Sequence, residues 1–139
     1  MGIGLKTMTN KAPLPQNIVV HQQSKVLELV YGTDVYKLPF EFLRVWSPSA
    51  EVRGHGVGQE TLQTGKRDVL INNIEQVGHY AIKPVFSDGH DSGIYSWEYL
   101  YEMCQNYEVM WQDYLGRLEK EGVDRDAPMA KDAGHSCGH

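Results

Sequence analysis

The chain has few cysteines and no long apolar segment. Only two of its 139 residues are cysteine, Cys104 and Cys137, which is too few for the disulfide framework of a small secreted domain. No segment approaches the roughly 18 apolar residues that a membrane-spanning helix needs. The first residues, MGIGLKTMTNKAPLPQ, contain no apolar run of signal-peptide length. The sequence therefore predicts a soluble, cytoplasmic protein with reduced thiols and no membrane partner.

Positive charge is also scarce. The chain has 13 Lys and Arg residues against 18 Asp and Glu residues, a formal net charge of -5. Non-specific binding to nucleic acid needs a broad basic surface, so we expect no nucleic-acid partner. With 41% hydrophobic residues, the chain has enough apolar side chains for one globular domain with an ordinary core.

The two ends of the chain differ in composition from its middle. Residues 1–17 are polar and include Pro13 and Pro15, and the sequence from Gly122 onward loses hydrophobic periodicity. We therefore predict a folded domain over residues 18–121, between a flexible N-terminal tail (1–17) and a flexible C-terminal tail (122–139).

The first part of this domain has the composition of β-strands. VLELVY (26–31) and VYKLPF (35–40) flank Gly32, Thr33 and Asp34, a pattern that predicts a hairpin. DVLINNIEQV (68–77) and HYAIKPVF (79–86) predict two further strands. Asp88-Gly89 is a strong hairpin signal, so HDSGIY is expected to return antiparallel to HYAIKPVF.

After Tyr95 the apolar residues adopt helical spacing, which predicts one long amphipathic helix from about Ser96 to Glu121. Ser96 is a suitable N-cap and Gly122 a suitable C-terminal stop. Tyr99 falls outside the apolar stripe and is expected to be exposed. The predicted fold class is α+β, a small antiparallel sheet built from hairpins with one long C-terminal amphipathic helix.

Few residues suggest chemistry. Cys104 lies on the apolar stripe, where a free cysteine usually acts as a small hydrophobe. Lys66-Arg67 beside Asp68 favours a solvated charge cluster over an anion site. No catalytic constellation is evident, so we do not expect an enzyme.

The C-terminal GHSCGH is the exception, because His135, Cys137 and His139 place two imidazoles and a thiol at alternate positions. These ligands suit zinc, copper, nickel or another transition metal. The alternative is a tail whose residues bind no ion in the cell.

A longer pattern resembles a known family. TGKRDVLINNIEQVGHYAIKPVFSDGHDSGIYSWEYLYEM (64–103), with PFEFLRVWSPSAEVRGHG (39–56) before it, is similar to the DUF971 family, the gamma-butyrobetaine-hydroxylase-like N-terminal domain. Domains of this kind precede the catalytic part of carnitine-pathway dioxygenases. There they carry a structural zinc, held by three cysteines after a Leu-Arg pair and by the histidine of an Asp-Gly-His motif.

The resemblance carries over to individual residues of this chain. Leu43-Arg44 and Asp88-Gly89-His90 match the two landmarks, so His90 is the ligand position, whereas the cysteine positions fall at about Ser47, Ser49 and Val52. Hydroxyl and isopropyl groups are poor zinc ligands. The resemblance therefore implies that this zinc site is lost, and that hydrogen bonds between the 47–49 loop and His90 replace it.

The resemblance also implies a class of function. In another relative the domain is joined to a P-loop ATPase that carries iron–sulfur clusters, which implies an accessory or protein-interaction module near metal cofactors, with an unidentified protein partner. Two alternatives stay open, a metal-binding protein that uses the C-terminal tail and a partner-dependent subunit of an oxygenase-type enzyme. The sequence leaves the oligomeric state open.

Overall fold

The structure, a computed structural model, describes residues 12–53 and 61–128. Its strands are β1 (Asn17–His21), β2 (Val26–Tyr31), β3 (Asp34–Pro39), β4 (Ile71–Val77), β5 (Ala81–Phe86) and β6 (Tyr95–Ser96). Its helices are α1 (Phe40–Val45), α2 (Ala50–Arg53), α3 (Trp97–Gln105) and α4 (Tyr107–Glu121). The α+β fold class is confirmed.

The first sheet is an antiparallel meander in the order β1-β2-β3. Tyr31 pairs with Asp34 across a two-residue turn, and Gly32 adopts a positive φ of 63° there, which glycine tolerates without steric cost. The predicted hairpin is therefore confirmed. Strand β1 was not predicted, and it adds an edge to the hairpin.

The second sheet has the order β4-β5-β6, again antiparallel. The predicted antiparallel return after Asp88-Gly89 is confirmed, but β6 has only two residues and pairs with Ala81 and Ile82 alone. Because β6 ends there, no strand of the described residues lies beside Pro84 on that side of β5. A proline can occupy this strand because it leaves no ladder hydrogen bond unmade.

The predicted C-terminal helix is present but interrupted. Ser96 caps it as expected, since its hydroxyl accepts a hydrogen bond from the backbone N–H of Tyr99 at 3.0 Å, and Gly122 ends it in the left-handed region. Asn106 separates α3 from α4 with φ -116° and ψ 19°. Its side-chain amide donates to the carbonyl oxygen of Glu102 at 2.9 Å, a local bond that competes with regular helix.

Helix α1 was missed because it has no amphipathic pattern. All six of its residues are buried, and a segment buried on every side shows no hydrophobic periodicity. Its start is fixed by Pro39, whose φ of -59° suits the entry to a helix.

The core has two parts. The larger joins both sheets to α1 and α3, and its fully buried members include Leu27, Phe42, Phe86, Tyr95 and Leu100. The smaller consists of Val45, Tyr114 and Leu118 and attaches α4 to the end of α1. Among the described residues, no helix is both long and apolar enough to cross a membrane.

The segment that follows α4 contacts the domain. Arg125 donates two hydrogen bonds to the buried carboxylate of Glu41, at 2.8 and 2.6 Å, and its guanidinium lies 5.1 Å from the ring centroid of Trp111. The N–H of Gly65 donates to the carbonyl oxygen of Arg125 at 2.8 Å. Packing contacts thus extend past the boundary expected at residue 121. The remaining tail residues, 1–11 and 129–139, lie outside the described residues.

Candidate functional site

His90 lies just after the Asp88-Gly89 turn that follows β5. Gly89 has a φ of 92°, in the region that favours glycine. The N–H of Phe86 donates to the carbonyl oxygen of His90 at 2.9 Å, and the N–H of His90 donates to Oδ1 of Asp88 at 3.2 Å. These bonds turn the imidazole inward, so that His90 is 6% exposed.

The imidazole meets the loop between α1 and α2. Oγ of Ser47 lies 2.8 Å from Nε2 of His90, which confirms the expected hydrogen bond between the 47–49 loop and this histidine. A second hydroxyl pair, Ser49 and Ser92, joins the same two loops at 2.7 Å. We call Ser47, Ser49, His90 and Ser92 the hydroxyl–imidazole cluster.

The carboxylate of Glu51 lies beside the cluster, next to the imidazole of His90. Oε1 of Glu51 lies 3.3 Å from Nδ1 of His90, so hydroxyl, imidazole and carboxylate follow one another as in the triad of serine hydrolases. However, Ser47 is only 1% exposed, and a Cβ at Gly93 would lie 2.4 Å from its Oγ. An attacking hydroxyl needs space for a substrate carbonyl, so this geometry suits a buried cross-link better than a nucleophile.

The surroundings of this imidazole favour its neutral form. Burial lowers the pKa of His90, and the positive charge of Arg44 lowers it further, although Glu51 and Asp88 oppose the shift. A neutral imidazole has one donor and one acceptor nitrogen. With the proton on Nδ1, Nε2 of His90 accepts the hydroxyl hydrogen of Ser47 at 2.8 Å, and Nδ1 faces Oε1 of Glu51 at 3.3 Å.

Beside the cluster, two buried cations share one carboxylate. Oδ2 of Asp88 accepts hydrogen bonds from Nε of Arg44 at 2.9 Å and from Nζ of Lys66 at 2.7 Å. Burial raises the pKa of Asp88, but the hydrogen bond from Lys66 and the charges of Arg44 and Lys66 outweigh it and lower this pKa to about 2. Arg44 also donates to Oε1 of Gln63 at 3.1 Å.

The expectation of a solvated charge cluster at Lys66 and Arg67 was wrong for Lys66. Lys66 is buried and bonded to Asp88, whereas Arg67 is exposed and pairs with Asp126, and Asp68 pairs with Lys25. The physical reason is that the fold brings Lys66 to the Asp88 turn, 22 positions later in the sequence, where its ammonium lies 2.7 Å from the carboxylate.

A groove that the sequence did not reveal lies on the side of the domain where α3, α4 and the α1–α2 region meet. It has a volume of about 270 Å³. Its buried apolar members are Val45, Val52 and Tyr114, and its more exposed members include Trp46, Arg53, Tyr99, Glu102, Met110 and Arg117. We call this set the aromatic groove.

Hydrogen bonds fix the aromatic side chains of the groove. Tyr99 donates its hydroxyl hydrogen to the carbonyl oxygen of Trp46 at 2.5 Å, and Nε1 of Trp46 donates to the carbonyl oxygen of Met110 at 3.2 Å. Tyr99 is therefore half-buried and was wrongly expected to be exposed. Its ring packs against the main core, and the side chain also lines the groove.

Two arginines stack on these aromatic rings. The guanidinium of Arg53 lies 4.9 Å from the ring centroid of Tyr99, and that of Arg117 lies 5.3 Å from the ring of Trp46. One sequence pattern could have indicated the α4 side of the groove. Met110, Tyr114 and Arg117 have i, i+4 and i+7 spacing, which places them on one side of α4.

Cys104 behaves as predicted from its place on the apolar stripe. It is buried in the main core, and burial raises the pKa of its thiol to about 12. The thiolate is the nucleophilic form of cysteine, so Cys104 is suited to packing.

The chain is similar to a known protein family. The family model described as gamma-butyrobetaine hydroxylase-like, N-terminal, matches residues 18–101, more than half of the chain. The chain belongs to the gamma-butyrobetaine hydroxylase-like N-terminal family. No curated protein matches the chain.

Solved structures of similar proteins agree with this assignment. One, determined by NMR in solution, is 50% identical, with a TM-score of 0.72 and coverage of 82% of this chain and 90% of that chain. A second NMR structure is 40% identical, with a TM-score of 0.72 and coverage of 89% and 91%. A crystal structure of a DUF971 family protein of unknown function from Acidithiobacillus ferrooxidans is 37% identical, with a TM-score of 0.53 and coverage of 64% and 90%.

The zinc site implied for this family can be tested against the residues present. His90 faces Ser47, and the carboxylate nearest to its other nitrogen is that of Glu51, while Val52 offers only an isopropyl group that lines the aromatic groove. Structural zinc prefers four thiolate or imidazole ligands. In the part of the chain that the structure describes, no group of three His, Cys, Asp or Glu residues is arranged to hold a metal ion. The donor set at His90 does not fit zinc.

The other predicted metal ligands, His135, Cys137 and His139, lie outside the described residues. Metal binding by these three residues therefore stays a prediction, which is based on the affinity of imidazole and thiol groups for transition metals.

Proposed function

We propose that the chain is a non-catalytic accessory module that binds a partner protein in the aromatic groove. The observation that carries this proposal is the set of side chains around the groove, namely Trp46, Tyr99, Met110, Arg53 and Arg117. Tryptophan, tyrosine, methionine and arginine are the residue types enriched in protein interfaces. Trp, Tyr and Arg also dominate the few positions that supply most of the binding free energy.

The groove is also organised before any partner arrives. The hydrogen bonds from Tyr99 to Trp46 and from Trp46 to Met110 hold both rings in place, and Tyr114 is fixed by a bond to the carbonyl oxygen of Gln63 at 2.7 Å. Side chains that are already immobilised lose less conformational entropy on binding. This supports a role in recognition.

The non-catalytic part of the proposal rests on the buried state of the reactive groups. Ser47 and Cys104 are 1% and 6% exposed, and burial raises the pKa of the Cys104 thiol. Groups that a substrate does not reach act through packing and hydrogen bonds. The alternative of a partner-dependent oxygenase subunit would require a reacting group that is contributed by the partner.

We further propose that the partner is an iron–sulfur protein or another protein with a metal cofactor. The support is the resemblance to relatives in which this domain is joined, in one chain, to an oxygenase or to an iron–sulfur ATPase. Domains that are fused in one protein often interact as separate chains in another. The experiment therefore has to identify the partner.

The test is affinity capture from a native lysate of the source cell, with three forms of the full chain immobilised. Met110→Gln places an amide in the groove, and Val109→Gln is the matched control, because Val109 is the adjacent helix residue, is 70% exposed and does not line the groove. We expect the wild-type chain and Val109→Gln to recover the same protein, and Met110→Gln to recover much less. Equal recovery by all three forms, or no reproducible partner, would contradict the proposal.

A further inference from the structure

We infer that the aromatic groove binds one large apolar side chain of the partner, such as leucine, methionine or phenylalanine, carried by a segment without net charge. This inference rests on the proposed function and specifies the chemistry of the bound segment. The volume of the groove, the hydrogen bonds of its interior and the charges at its rim support it.

The size of the groove suits a single side chain. Its volume is about 270 Å³, below the roughly 300–1,000 Å³ of pockets that bind drug-sized ligands. An apolar cavity of about 150 Å³ already accepts a benzene ring. The groove therefore has room for one large side chain and the backbone beside it, whereas a nucleotide or another large cofactor needs more space.

The interior of the groove is largely apolar. Val45, Val52 and Tyr114 are buried there, and Leu62 and Met110 line the groove beside them. Burial of apolar surface favours association roughly in proportion to the area removed from water. The methionine can adapt its shape to an inserted group, because its side chain is unbranched and its sulfur is polarizable. An aliphatic or aromatic side chain therefore fits this interior.

The aromatic hydrogen-bond donors of the groove are already used within the domain. Tyr99 donates to the carbonyl oxygen of Trp46 at 2.5 Å, and Nε1 of Trp46 donates to that of Met110 at 3.2 Å. Tyr114 donates to the carbonyl oxygen of Gln63 at 2.7 Å. Because a phenol and an indole each carry a single donor, these three aromatic side chains have no donor left for a bound group.

The buried amide of Gln63 is engaged at both ends. Its Oε1 accepts a hydrogen bond from Arg44 at 3.1 Å, and its Nε2 donates to the carbonyl oxygen of Thr61 at 2.9 Å. A polar side chain inserted beside it would lose its water without gaining a matched partner, which is unfavourable. An apolar side chain has no such requirement.

The charges at the rim of the groove balance. Arg53 and Glu102 line the groove, as does Arg117, whose Nε lies 3.2 Å from Oδ2 of Asp113. The rim formed by these four residues therefore has two positive and two negative charges. A rim without net charge gives neither an acidic nor a basic segment an electrostatic advantage over a neutral one.

Both arginines are held against aromatic rings. The guanidinium of Arg53 lies 4.9 Å from the ring centroid of Tyr99, and that of Arg117 lies 5.3 Å from the ring of Trp46. A guanidinium that stacks on a ring covers that ring with its planar face. The two arginines therefore extend the walls around the bound side chain.

The experiment selects binders of the chain of 139 residues from a phage-displayed library of random linear peptides, with counter-selection against Met110→Gln. Synthetic versions of the selected peptides are then titrated by isothermal calorimetry at two temperatures and two salt concentrations. The chain variants are Met110→Leu, Arg53→Gln and Glu102→Gln, and the melting temperature of each shows that it is folded. Val109→Gln is the control, since Val109 is exposed and does not line the groove.

We expect the selected peptides to share one large apolar residue and to show no enrichment in charged residues of either sign. Replacing that apolar residue by alanine should weaken binding at least about ten-fold, as for the central anchor of an interface. Binding should have a negative heat-capacity change, which indicates burial of apolar surface, and the same affinity at both salt concentrations.

The chain variants test the walls and the rim separately. Met110→Leu keeps an apolar wall and should bind the peptides like the wild type, as should Val109→Gln. Arg53→Gln and Glu102→Gln leave the rim with opposite net charges, and each should change the affinity by less than about two-fold.

The results separate this inference from the proposed function. Peptides rich in one charge, an affinity that changes with salt, or large and opposite effects of Arg53→Gln and Glu102→Gln overturn the uncharged segment but leave a groove that captures its partner in a Met110-dependent manner. A library without any Met110-dependent peptide also overturns the inference. If lysate capture is independent of Met110 as well, the proposed function falls with it.

Discussion

Oγ of Ser47 and Nε2 of His90 lie 2.8 Å apart although the two residues are 43 positions apart in sequence. Both are buried, at 1% and 6% exposure. This hydrogen bond holds the α1–α2 loop against the loop after β5, the two segments that the structural zinc is implied to join in relatives. In this family member, hydrogen bonds join the two segments.

Replacing Ser47 by alanine should destabilise the fold, because Nε2 of His90 then loses its partner in a buried environment. A buried polar group left without a partner costs about 1–3 kcal/mol, and we expect a loss of that size in the free energy of unfolding, measured by urea denaturation. Ser24→Ala is the control, an exposed serine in the turn between β1 and β2. Equal stability of the two variants would show that the hydroxyl contributes nothing.

Gly93 should not tolerate even a methyl group. A Cβ there would lie 2.4 Å from Oγ of Ser47 and 3.2 Å from Cε1 of Tyr95, so Gly93→Ala forces the cluster apart and should lower the free energy of unfolding by about 1–3 kcal/mol. Gly116→Ala is the matched control. It lies inside α4 with nothing within 4 Å, and it should stabilise the chain by about 0.5–1 kcal/mol because alanine favours helix. The two substitutions should move the melting temperature in opposite directions, and a neutral Gly93→Ala would contradict this account of the packing.

The stability of the fold should fall in acid through Asp88. Its folded-state pKa is lowered to about 2, whereas an unfolded aspartate titrates near a pKa of about 3.9. A depressed carboxyl pKa means that the unfolded state binds the proton more strongly. The contribution of Asp88 is therefore fully present above about pH 4 and is lost as the pH falls towards about 2.

The measurement is the difference in unfolding free energy between the wild type and Asp88→Asn across this range of pH. The difference should be largest above about pH 4 and shrink towards about pH 2. Asp34→Asn serves as the control, because Asp34 is an exposed residue at the β2–β3 turn. A difference that stays constant with pH would mean that the bonds from Arg44 and Lys66 to Asp88 do not depend on its charge.

The fold was predictable where local chemistry decides it. Gly32 indicates the hairpin because its backbone tolerates the positive φ of the turn. Ser96 indicates the helix start because its hydroxyl caps the first turn. The Ser47–His90 bond was reached only through the resemblance, which supplied a pair of positions that no periodicity connects. Helix α1 and the buried Lys66 were not foreseen, because their environments depend on segments distant in sequence. The aromatic groove has members from α3, α4 and the α1–α2 region, so a local pattern connects only those on the same helix, such as Met110, Tyr114 and Arg117 on α4.

Arg125 should stabilise the domain although it lies beyond α4. It makes two hydrogen bonds to Glu41, whose side chain is 6% exposed. Arg125→Ala leaves that carboxylate buried and without its partner, and we expect a loss of about 2 kcal/mol in the free energy of unfolding. Arg67→Ala, which breaks the exposed pair with Asp126, is the control and should have little effect. If the two variants are equally stable, the segment after α4 adds no stability through Glu41.

Metal binding by the chain should depend on residues 134–139 and not on His90. His135, Cys137 and His139 offer two imidazoles and a thiol, a set that suits zinc or nickel, whereas His90 faces the hydroxyl of Ser47 and the carboxylate of Glu51. We expect the untagged chain of 139 residues to bind zinc or nickel in titration and in elemental analysis. Deleting residues 134–139 should abolish that binding and leave the melting temperature unchanged.

His90→Ala should lower the melting temperature and leave the metal content unchanged, because the role of His90 is to form a hydrogen bond with Ser47. Metal that survives the deletion and is lost with His90→Ala would instead place the ion at the hydroxyl–imidazole cluster, and the interpretation of that cluster as a hydrogen-bonded cross-link would be wrong.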